Sequence, residues 1–279
     1  MINTNQQKHL QLIQDGFCVF EKVLDPIMLG RVRAASDCLL DAQPPEHFEA
    51  QKSTGSMISV YTDPFFAELV AYQPTLKALV VLNYPKPRWS SGYIISKPPQ
   101  SPPLFWHQDW WGWNDPISYD EVPQQLFLMY YLVDTNQYNG CLRVIQGSHR
   151  KRHLMHDAVP EAHAANLNHF IDPTHQVYQS VPEELVVPVK AGDLVIGDSR
   201  LLHGSYANQS NQRRTVITLW YHPAFDTSPG CIRAHLSRKQ THVTEWPESA
   251  QKLVRTLVPT YDGDAEPLVW NRTPGVILR

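Results

Sequence analysis

The stretch Leu104-Phe105-Trp106-His107-Gln108-Asp109-Trp110 is a short apolar strand that carries a His-x-Asp motif. In an extended strand, residues two apart project to the same face, so His107 and Asp109 can hold one ion while Gln108 turns away. Two imidazoles and one carboxylate on one face of an iron leave the opposite face open for oxidant and co-substrate. His203, far downstream, is the candidate for the second imidazole. The motif therefore predicts a non-haem iron site on a β-strand.

The sequence around this strand predicts a mainly β protein with flanking α-helices. Three start signals, Asp25-Pro26, Asp63-Pro64 and Pro74, indicate helices in the first eighty residues. From about Arg88 the chain consists of short β-rich runs separated by turns. We predict eight strands: Ser91 to Ser96, Leu104 to Trp110, Gln125 to Val133, Cys141 to Ile145, Leu185 to Val189, Leu194 to Ile196, Leu201 to Ser205 and Thr215 to Tyr221. This pattern favours a double-stranded β-helix, that is, a jelly-roll or cupin-like core.

The pattern also predicts how the chain is divided. We expect a single domain over residues 1–279, with a helical N-terminal flank over 1–87 and the jelly-roll core over 88–222. Residues 150–180 are polar and rich in His, and we interpret them as an insertion or lid. Residues 223–279 form a C-terminal extension, with a short helix expected from Glu248 to Leu257.

Composition excludes several classes of protein. Charged residues make up 18% of the chain and the net charge is −3 without a basic block, so we expect no nucleic-acid partner. The absence of a long apolar run and of a signal-peptide pattern predicts no membrane partner and a cytoplasmic location. The four cysteines lie far apart without a Cys-x-x-Cys pair, and we expect reduced thiols. The sequence carries no indication of the oligomeric state.

His203 and the arginines that follow it each have a structural alternative. His203 follows Gly192-Asp193, an apolar run and a second turn, and its structural alternative is a histidine hydrogen-bonded at the end of a strand. The His-x-Asp upstream and the arginine downstream favour the ligand. A guanidinium that points into a barrel needs an anion, because an unpaired buried charge is very costly. A dicarboxylate co-substrate would supply that anion through bidentate pairing, whereas the alternative is a salt bridge to Asp or Glu. Strand alternation alone does not decide between Arg213 and Arg214.

Several stretches together resemble the phytanoyl-CoA dioxygenase family, within the Fe(II)/2-oxoglutarate-dependent oxygenases. They lie in order along residues 10 to 222, and their combination is far more specific than any one motif. The stretches are Ile94 to Ser101, Trp106 to Asp109, Asn139 to His149, and Gly192-Asp193 through His203-Gly204-Ser205 to Asn208 and Arg214. The offset of eleven residues from His203 selects Arg214 over Arg213.

The resemblance implies a set of site residues. It implies His107, Asp109 and His203 as iron ligands, and Arg214 for the distal carboxylate of 2-oxoglutarate, with the Ser205 hydroxyl assisting. Tyr93 stands where the family places another co-substrate contact. Met129 stands where relatives often have Trp, which is a departure from the family pattern. Related halogenases have a small residue in place of Asp109, so its carboxylate indicates oxygenation.

Two further groups of residues have both a functional and a structural interpretation. Trp111 and Trp113 follow the ligand strand and could face the substrate, although packing in the core or rim is the simpler reading for such large side chains. Five histidines could suggest a second metal site, but their irregular spacing favours exposed loop histidines. They are His149, His153, His156, His163 and His169.

The resemblance implies an oxidoreductase that uses Fe(II), 2-oxoglutarate and O2 on a small-molecule substrate. The expected reaction is hydroxylation of an unactivated C–H bond with release of succinate and CO2, and desaturation, epoxidation or cyclisation at the same iron are alternatives. A different class is a cupin-like metal-dependent hydrolase or isomerase, which would share the ligands but give Arg214 no task. A non-enzymatic binding protein is a third alternative, against which the complete ligand set argues.

Overall fold

Helices form most of the N-terminal part of the chain. The structure, a computed structural model, describes residues 4–158 and 164–278. The helices of this part are α1 (Thr4–Asp15), α2 (Pro26–Asp41), α3 (Pro45–Ala50), α4 (Phe66–Val70) and α5 (Gln73–Val81). The predicted start at Asp25-Pro26 is observed, because the Asp25 side chain accepts a hydrogen bond of 2.8 Å from the Met28 amide. Met28, Val32 and Leu40 bury one face of α2 against the sheet.

Two antiparallel sheets form the centre of the molecule. Across the described residues, the strands are β1 (Phe17–Phe20), β2 (Met57–Ser59), β3 (Arg88–Lys97), β4 (Leu104–His107), β5 (Leu126–Tyr131), β6 (Leu142–Ile145), β7 (Glu184–Val187), β8 (Leu194–Asp198), β9 (His203–Ser205) and β10 (Arg214–His222). The larger sheet has the order β1-β8-β5-β10-β3-β2, and the smaller has the order β4-β9-β6-β7. The eight predicted strands correspond to β3 to β10, and the mainly β jelly-roll prediction is confirmed.

The N-terminal flank differs from the prediction because it contributes two strands to the larger sheet. β1 pairs with β8 and β2 pairs with β3, so these two strands close the edges of the sheet. Both strands are very short, at four and three residues, and lie between helices. Their alternating pattern is therefore too brief to separate them from a loop in the sequence.

The larger sheet is covered on both faces, which explains its nearly continuous apolar sequence. Along β5, Leu126, Leu128 and Tyr130 pack against the helical layer. The intervening residues Phe127 and Met129 face the smaller sheet instead. This second layer, between the two sheets, is the one that holds the candidate site.

The insertion and the extension both pack on the barrel, and Arg152 Nη1 of the insertion donates to the Gly275 carbonyl of the extension at 3.0 Å. Residues around α6 (Met155–Ala158) and α7 (Ala165–Asn168) pack on Phe105 and Trp106, on the outer side of the smaller sheet. After β10 come α8 (Gly230–Arg238) and α9 (Glu248–Val254). The predicted helix from Glu248 corresponds to α9, which packs against α4. None of the described helices is both long and apolar enough to cross a membrane.

Candidate active site

His107, Asp109 and His203 converge between the two sheets. β4 pairs with β9 so that His107 lies directly opposite His203, and Asp109 follows just beyond the end of β4. The Asp109 carboxylate lies 3.7 Å from His107 Nε2 and 3.8 Å from His203 Nε2. One donor atom from each of the three residues lies within 4.8 Å of the others, and all three residues are buried. The spacing suits a single ion bound by all three.

Backbone carbonyls orient both imidazoles. His107 Nδ1 lies 3.1 Å from the Phe105 carbonyl, and His203 Nδ1 lies 3.0 Å from the Leu201 carbonyl. Because a carbonyl can only accept, each Nδ1 carries the proton and each Nε2 presents its lone pair to the other donors. Two neutral imidazoles and one carboxylate, buried together, fit an Fe(II) ion with open coordination positions.

Trp220 on β10 fixes the carboxylate of this set. Its indole Nε1 donates a hydrogen bond of 2.9 Å to Asp109 Oδ2. A hydrogen bond to a ligating carboxylate holds its orientation and is part of what tunes a metal site. The sequence analysis missed Trp220, although strand alternation from Arg214 along β10 would have found it.

A narrow cavity runs between the sheets from the three donors to Arg214. Arg214, Val216, Thr218 and Trp220 line it from alternate positions of β10. Arg214 is 4% exposed, and its Nε has no hydrogen-bond partner among the described residues. No carboxylate of the described chain forms an ion pair with it. Burial lowers the pKa of Arg214. Because a buried guanidinium without an anion is costly, this position suits an anionic ligand.

Other polar groups of the narrow cavity are also unsatisfied. The hydroxyls of Ser205 and Thr218 are buried without a hydrogen-bond partner in the described part of the protein. Nearby, the fully buried Lys97 donates to the Ser53 carbonyl at 2.7 Å, and burial followed by the charge of Arg214 lowers its pKa. The sequence analysis missed Lys97 and Thr218. Unsatisfied hydroxyls beside the buried Arg214 guanidinium suit a polar, anionic occupant.

The structure separates the two arginines that alternation left open. Arg213 is on the surface and forms ion pairs with Asp37 and Asp41 of α2. Arg214 instead faces the narrow cavity, as the resemblance implied.

A larger cavity of about 880 Å³ opens on the other side of Asp109. Tyr93 and Trp111 line it together with Trp220. Tyr93 therefore lies on the wall of this cavity and not of the narrow one that Arg214 lines. Met129, the departure from the family pattern, lines the narrow cavity. Asp109 and Trp220 line both cavities, so the two spaces meet at the proposed metal position.

Trp113 lies outside the wall of either cavity, contrary to the expectation that it faces the substrate. It is 3% exposed and packs against Tyr119. Its Nε1 donates to Gln108 Oε1 at 3.2 Å. Gln108 turns away from the donors as predicted, and its Nε2 donates to the Arg272 carbonyl at 2.7 Å. These contacts give both residues a role in holding the C-terminal extension.

The C-terminal extension supplies the part of the cavity wall that the sequence analysis missed. Arg238, His242 and Glu245 line the larger cavity, as do Trp270 and Arg272. No motif connects these residues with the His-x-Asp stretch, which lies more than a hundred positions away. By contrast, none of the described residues between 150 and 180 lines either cavity. The interpretation of that segment as an insertion or lid stays a prediction.

The expectation of exposed loop histidines is wrong for His149 and His156. Each is 2% exposed, and burial lowers the pKa of both, that of His156 to about 4. His153 is half-buried, His169 is exposed, and His163 lies outside the described residues. Among the residues described, the only group that could hold a metal is that of His107, Asp109 and His203.

Comparison with protein families agrees with this geometry. The family model described as phytanoyl-CoA dioxygenase (PhyH) matches residues 12–216, from α1 into β10. The chain belongs to the phytanoyl-CoA dioxygenase family. The match includes the three donors and Arg214, and it ends before the C-terminal extension that lines the larger cavity.

Individual relatives are more distant. The chain is 33% identical over 152 residues to a probable alpha-ketoglutarate-dependent hypophosphite dioxygenase of Stutzerimonas stutzeri, covering 52% of this chain and 48% of that protein. It is 30% identical over 163 residues to phytanoyl-CoA dioxygenase 1 of Oryza sativa subsp. japonica, covering 56% and 52%. The chain thus spans about half the length of these relatives. Among solved structures, HygX from Streptomyces hygroscopicus, with nickel and 2-oxoglutarate bound, superposes with a TM-score of 0.58 at 18% identity. That alignment covers 79% of this chain and 87% of HygX, and it shows a shared fold.

Proposed function

We propose that this protein is an Fe(II)- and 2-oxoglutarate-dependent dioxygenase that hydroxylates an unactivated C–H bond of a small molecule. One observation carries the proposal: the three convergent donors and the unpaired Arg214 guanidinium lie at opposite ends of one buried cavity. The rival hydrolase or isomerase would need the donors but would leave a buried cation without a partner. The family membership supports the same conclusion.

In this proposal each residue has a task. His107, Asp109 and His203 hold Fe(II), and Trp220 keeps the Asp109 carboxylate oriented. Arg214 binds the distal carboxylate of 2-oxoglutarate, with the Ser205 hydroxyl beside it. We place the Tyr93 contact at the iron end of the co-substrate, because Tyr93 and Asp109 line the same cavity. When bound, the iron supplies activation of O2 coupled to oxidative decarboxylation of 2-oxoglutarate to succinate and CO2.

The larger cavity is the proposed substrate site. Its volume of about 880 Å³ is in the range of sites for small molecules. Trp111 and Trp220 offer flat apolar surface beside the iron position, which would place a substrate C–H bond near the reacting centre. HygX has also been solved with hygromycin B bound, so a protein of this fold accommodates a small-molecule ligand.

The free cysteines of the described chain support a reducing, cytoplasmic location.

Anaerobic addition of Fe(II) and 2-oxoglutarate tests the proposal directly. We expect a weak visible charge-transfer band from the chelate, and succinate release once O2 and a substrate are supplied. His203→Ala should lose the band and the turnover while its thermal unfolding stays cooperative. An intact protein without the band, or a His203→Ala variant that still releases substrate-dependent succinate, would contradict the proposal.

A further inference from the structure

The C-terminal segment that carries Arg272 is fastened to the loop that follows the ligand strand. The Asn271 amide donates to the Trp111 carbonyl at 2.8 Å, and the Trp113 amide donates to the Asn271 carbonyl at 3.3 Å. The Gln108 side chain, between His107 and Asp109 in sequence, donates to the Arg272 carbonyl. The position of Arg272 is therefore fixed relative to Asp109 by backbone contacts.

The Arg272 guanidinium lies at the end of a stack of rings on the cavity wall. Trp111 and Trp270 stack at 5.6 Å with an angle of 14° between their planes. The guanidinium lies over the Trp270 ring, 5.0 Å from its centre. Such stacking holds the planar group in place while its N–H donors stay available at its edge.

These donors lack a partner in the described structure. Arg272 Nε and Nη1 are both buried from solvent and make no hydrogen bond to any described residue. Asp109 is the carboxylate whose charge acts on Arg272, although the two form no ion pair. Once Asp109 binds a metal ion, its charge is taken up by that ion, and Arg272 is left with an uncompensated positive charge. An unpaired guanidinium at this depth indicates an anionic partner.

We propose that Arg272 binds an oxyanion group of the substrate, so that the substrate is a small molecule with a carboxylate or a phosphorus oxyanion. This inference rests on the proposed function for the identity of the cavity as a substrate site. The guanidinium pairs with two oxygens of the anion, and the adjacent rings cover the apolar part of the molecule. Arg238 and Glu245 are exposed at the same cavity with opposite charges, so the preference for an anion rests on Arg272. The segment that supplies Arg272 lies outside the part matched by the family model.

Binding of simple probes tests this inference. Benzoate, phenylphosphonate and the neutral benzamide are titrated against the anaerobic protein with Fe(II) and 2-oxoglutarate, and against the metal-free protein, by calorimetry. We expect both anions to bind more tightly than benzamide. Arg272→Gln should weaken anion binding about tenfold to a hundredfold, the range for a charged hydrogen bond, and leave benzamide unchanged. The better anion identifies the oxyanion class.

Arg255→Gln is the matched control, because Arg255 is an exposed arginine after α9 and its loss changes the net charge equally. Equal anion affinities in the Arg272→Gln and Arg255→Gln variants would overturn the inference. Should Arg272→Gln fail to fold, the native protein decides, since equal affinity for benzoate and benzamide would also overturn it. Loss of the Fe(II)–2-oxoglutarate band with intact anion selectivity would count against the proposed function alone.

Discussion

At the scale of single residues, the chemistry of the site follows from which buried polar groups have hydrogen-bond partners and which lack them. Asp109 receives the Trp220 indole, and both metal-site histidines donate to carbonyls. Arg214 and Arg272 are the two cations near the donors whose guanidinium atoms lack partners in the described chain. Because Arg214 lines the narrow cavity and Arg272 the larger one, we propose that they mark a co-substrate side and a substrate side of the centre.

Arg214 and Arg213 form a natural test pair on the co-substrate side. Arg214→Gln removes a charged hydrogen bond to the distal carboxylate, and we expect the 2-oxoglutarate KM to rise about tenfold to a hundredfold. Arg213→Gln removes only surface ion pairs with α2 and should leave that KM unchanged. Steady-state succinate formation against 2-oxoglutarate concentration measures both. A similar KM in the two variants would argue against the assigned role of Arg214.

Trp220→Phe tests the orientation of the carboxylate ligand. The variant keeps an aromatic ring but loses the donor to Asp109, and we expect Fe(II) affinity to fall about tenfold to a hundredfold. Trp106→Phe is the control, because its Nε1 donates to the Gln179 carbonyl on the outer side of the smaller sheet. Anaerobic Fe(II) titration measures both affinities. Unchanged affinity in Trp220→Phe would mean that the hydrogen bond does not support the metal.

At the scale of elements, close contact between strands positions the donors. β5 and β8 pair with Phe127 opposite Gly197, and the Phe127 ring packs on the His203 imidazole at 4.8 Å. A Cβ on Gly197 would lie 2.1 Å from the Phe127 ring. The glycine therefore makes room for a ring that in turn touches a metal-site histidine.

Two Gly→Ala substitutions should change the free energy of unfolding in opposite directions. Gly197→Ala forces Phe127 to move, and we expect a loss of about 1–3 kcal/mol in the free energy of unfolding, with weaker metal binding. Gly30→Ala, in α2, meets no atom within 4 Å and should stabilise the protein by about 0.5–1 kcal/mol. Urea unfolding of the three proteins measures the changes. An unchanged free energy of unfolding in Gly197→Ala would show that the sheet adapts to the added methyl group.

The sequence predicted the elements whose signals are local. The eight main strands and the Asp25 cap could be predicted because they follow from alternation and from helix-start chemistry. β1 and β2 were too short for their pattern to register. Arg272 could not be found, because its place in the site follows from tertiary contacts across more than 150 residues with no local signal. Strand alternation places Thr218 and Trp220 on the same face of β10 as Arg214, so both could have been predicted from the sequence.

At the scale of the whole molecule, we propose that flank, core and extension act as one domain around the site. The flank supplies the edge strands, the core supplies the donors, and the extension closes the larger cavity. The His-rich insertion packs on the outer side of the smaller sheet instead, where Met155 belongs to the same buried cluster as Trp106.

The buried His156 of this insertion predicts a dependence of stability on pH. Burial lowers the pKa of His156 to about 4, whereas an unfolded chain binds the proton with a pKa near 6.5. The unfolded state therefore takes up more protons below about pH 6.5, and the free energy of unfolding falls from there towards pH 4. His156 should contribute a loss of about 1–2 kcal/mol between pH 7.5 and pH 5.

Urea unfolding at pH 7.5 and pH 5 isolates the contribution of His156. It is measured on the native protein and on the His156→Gln and His169→Gln variants. The His156→Gln variant should lose less stability on acidification than the native protein. His169 is exposed, so His169→Gln should follow the native protein. If His156→Gln loses as much free energy of unfolding between pH 7.5 and pH 5 as the native protein does, His156 is excluded as a source of acid sensitivity.

Backbone hydrogen bonds hold residues 271–272 of the C-terminal extension against the loop after β4. The two roles proposed for the site are therefore encoded in separate segments of the gene. In the proposed function, the residues that carry the reaction lie between α1 and β10, whereas part of the wall of the proposed substrate site comes from residues after His222. Exchange of residues 223–278 between homologues could therefore redirect an enzyme of this type towards other substrates without touching its metal-binding strands. Surveys that classify such proteins by their shared motifs alone would group chains that act on chemically different compounds.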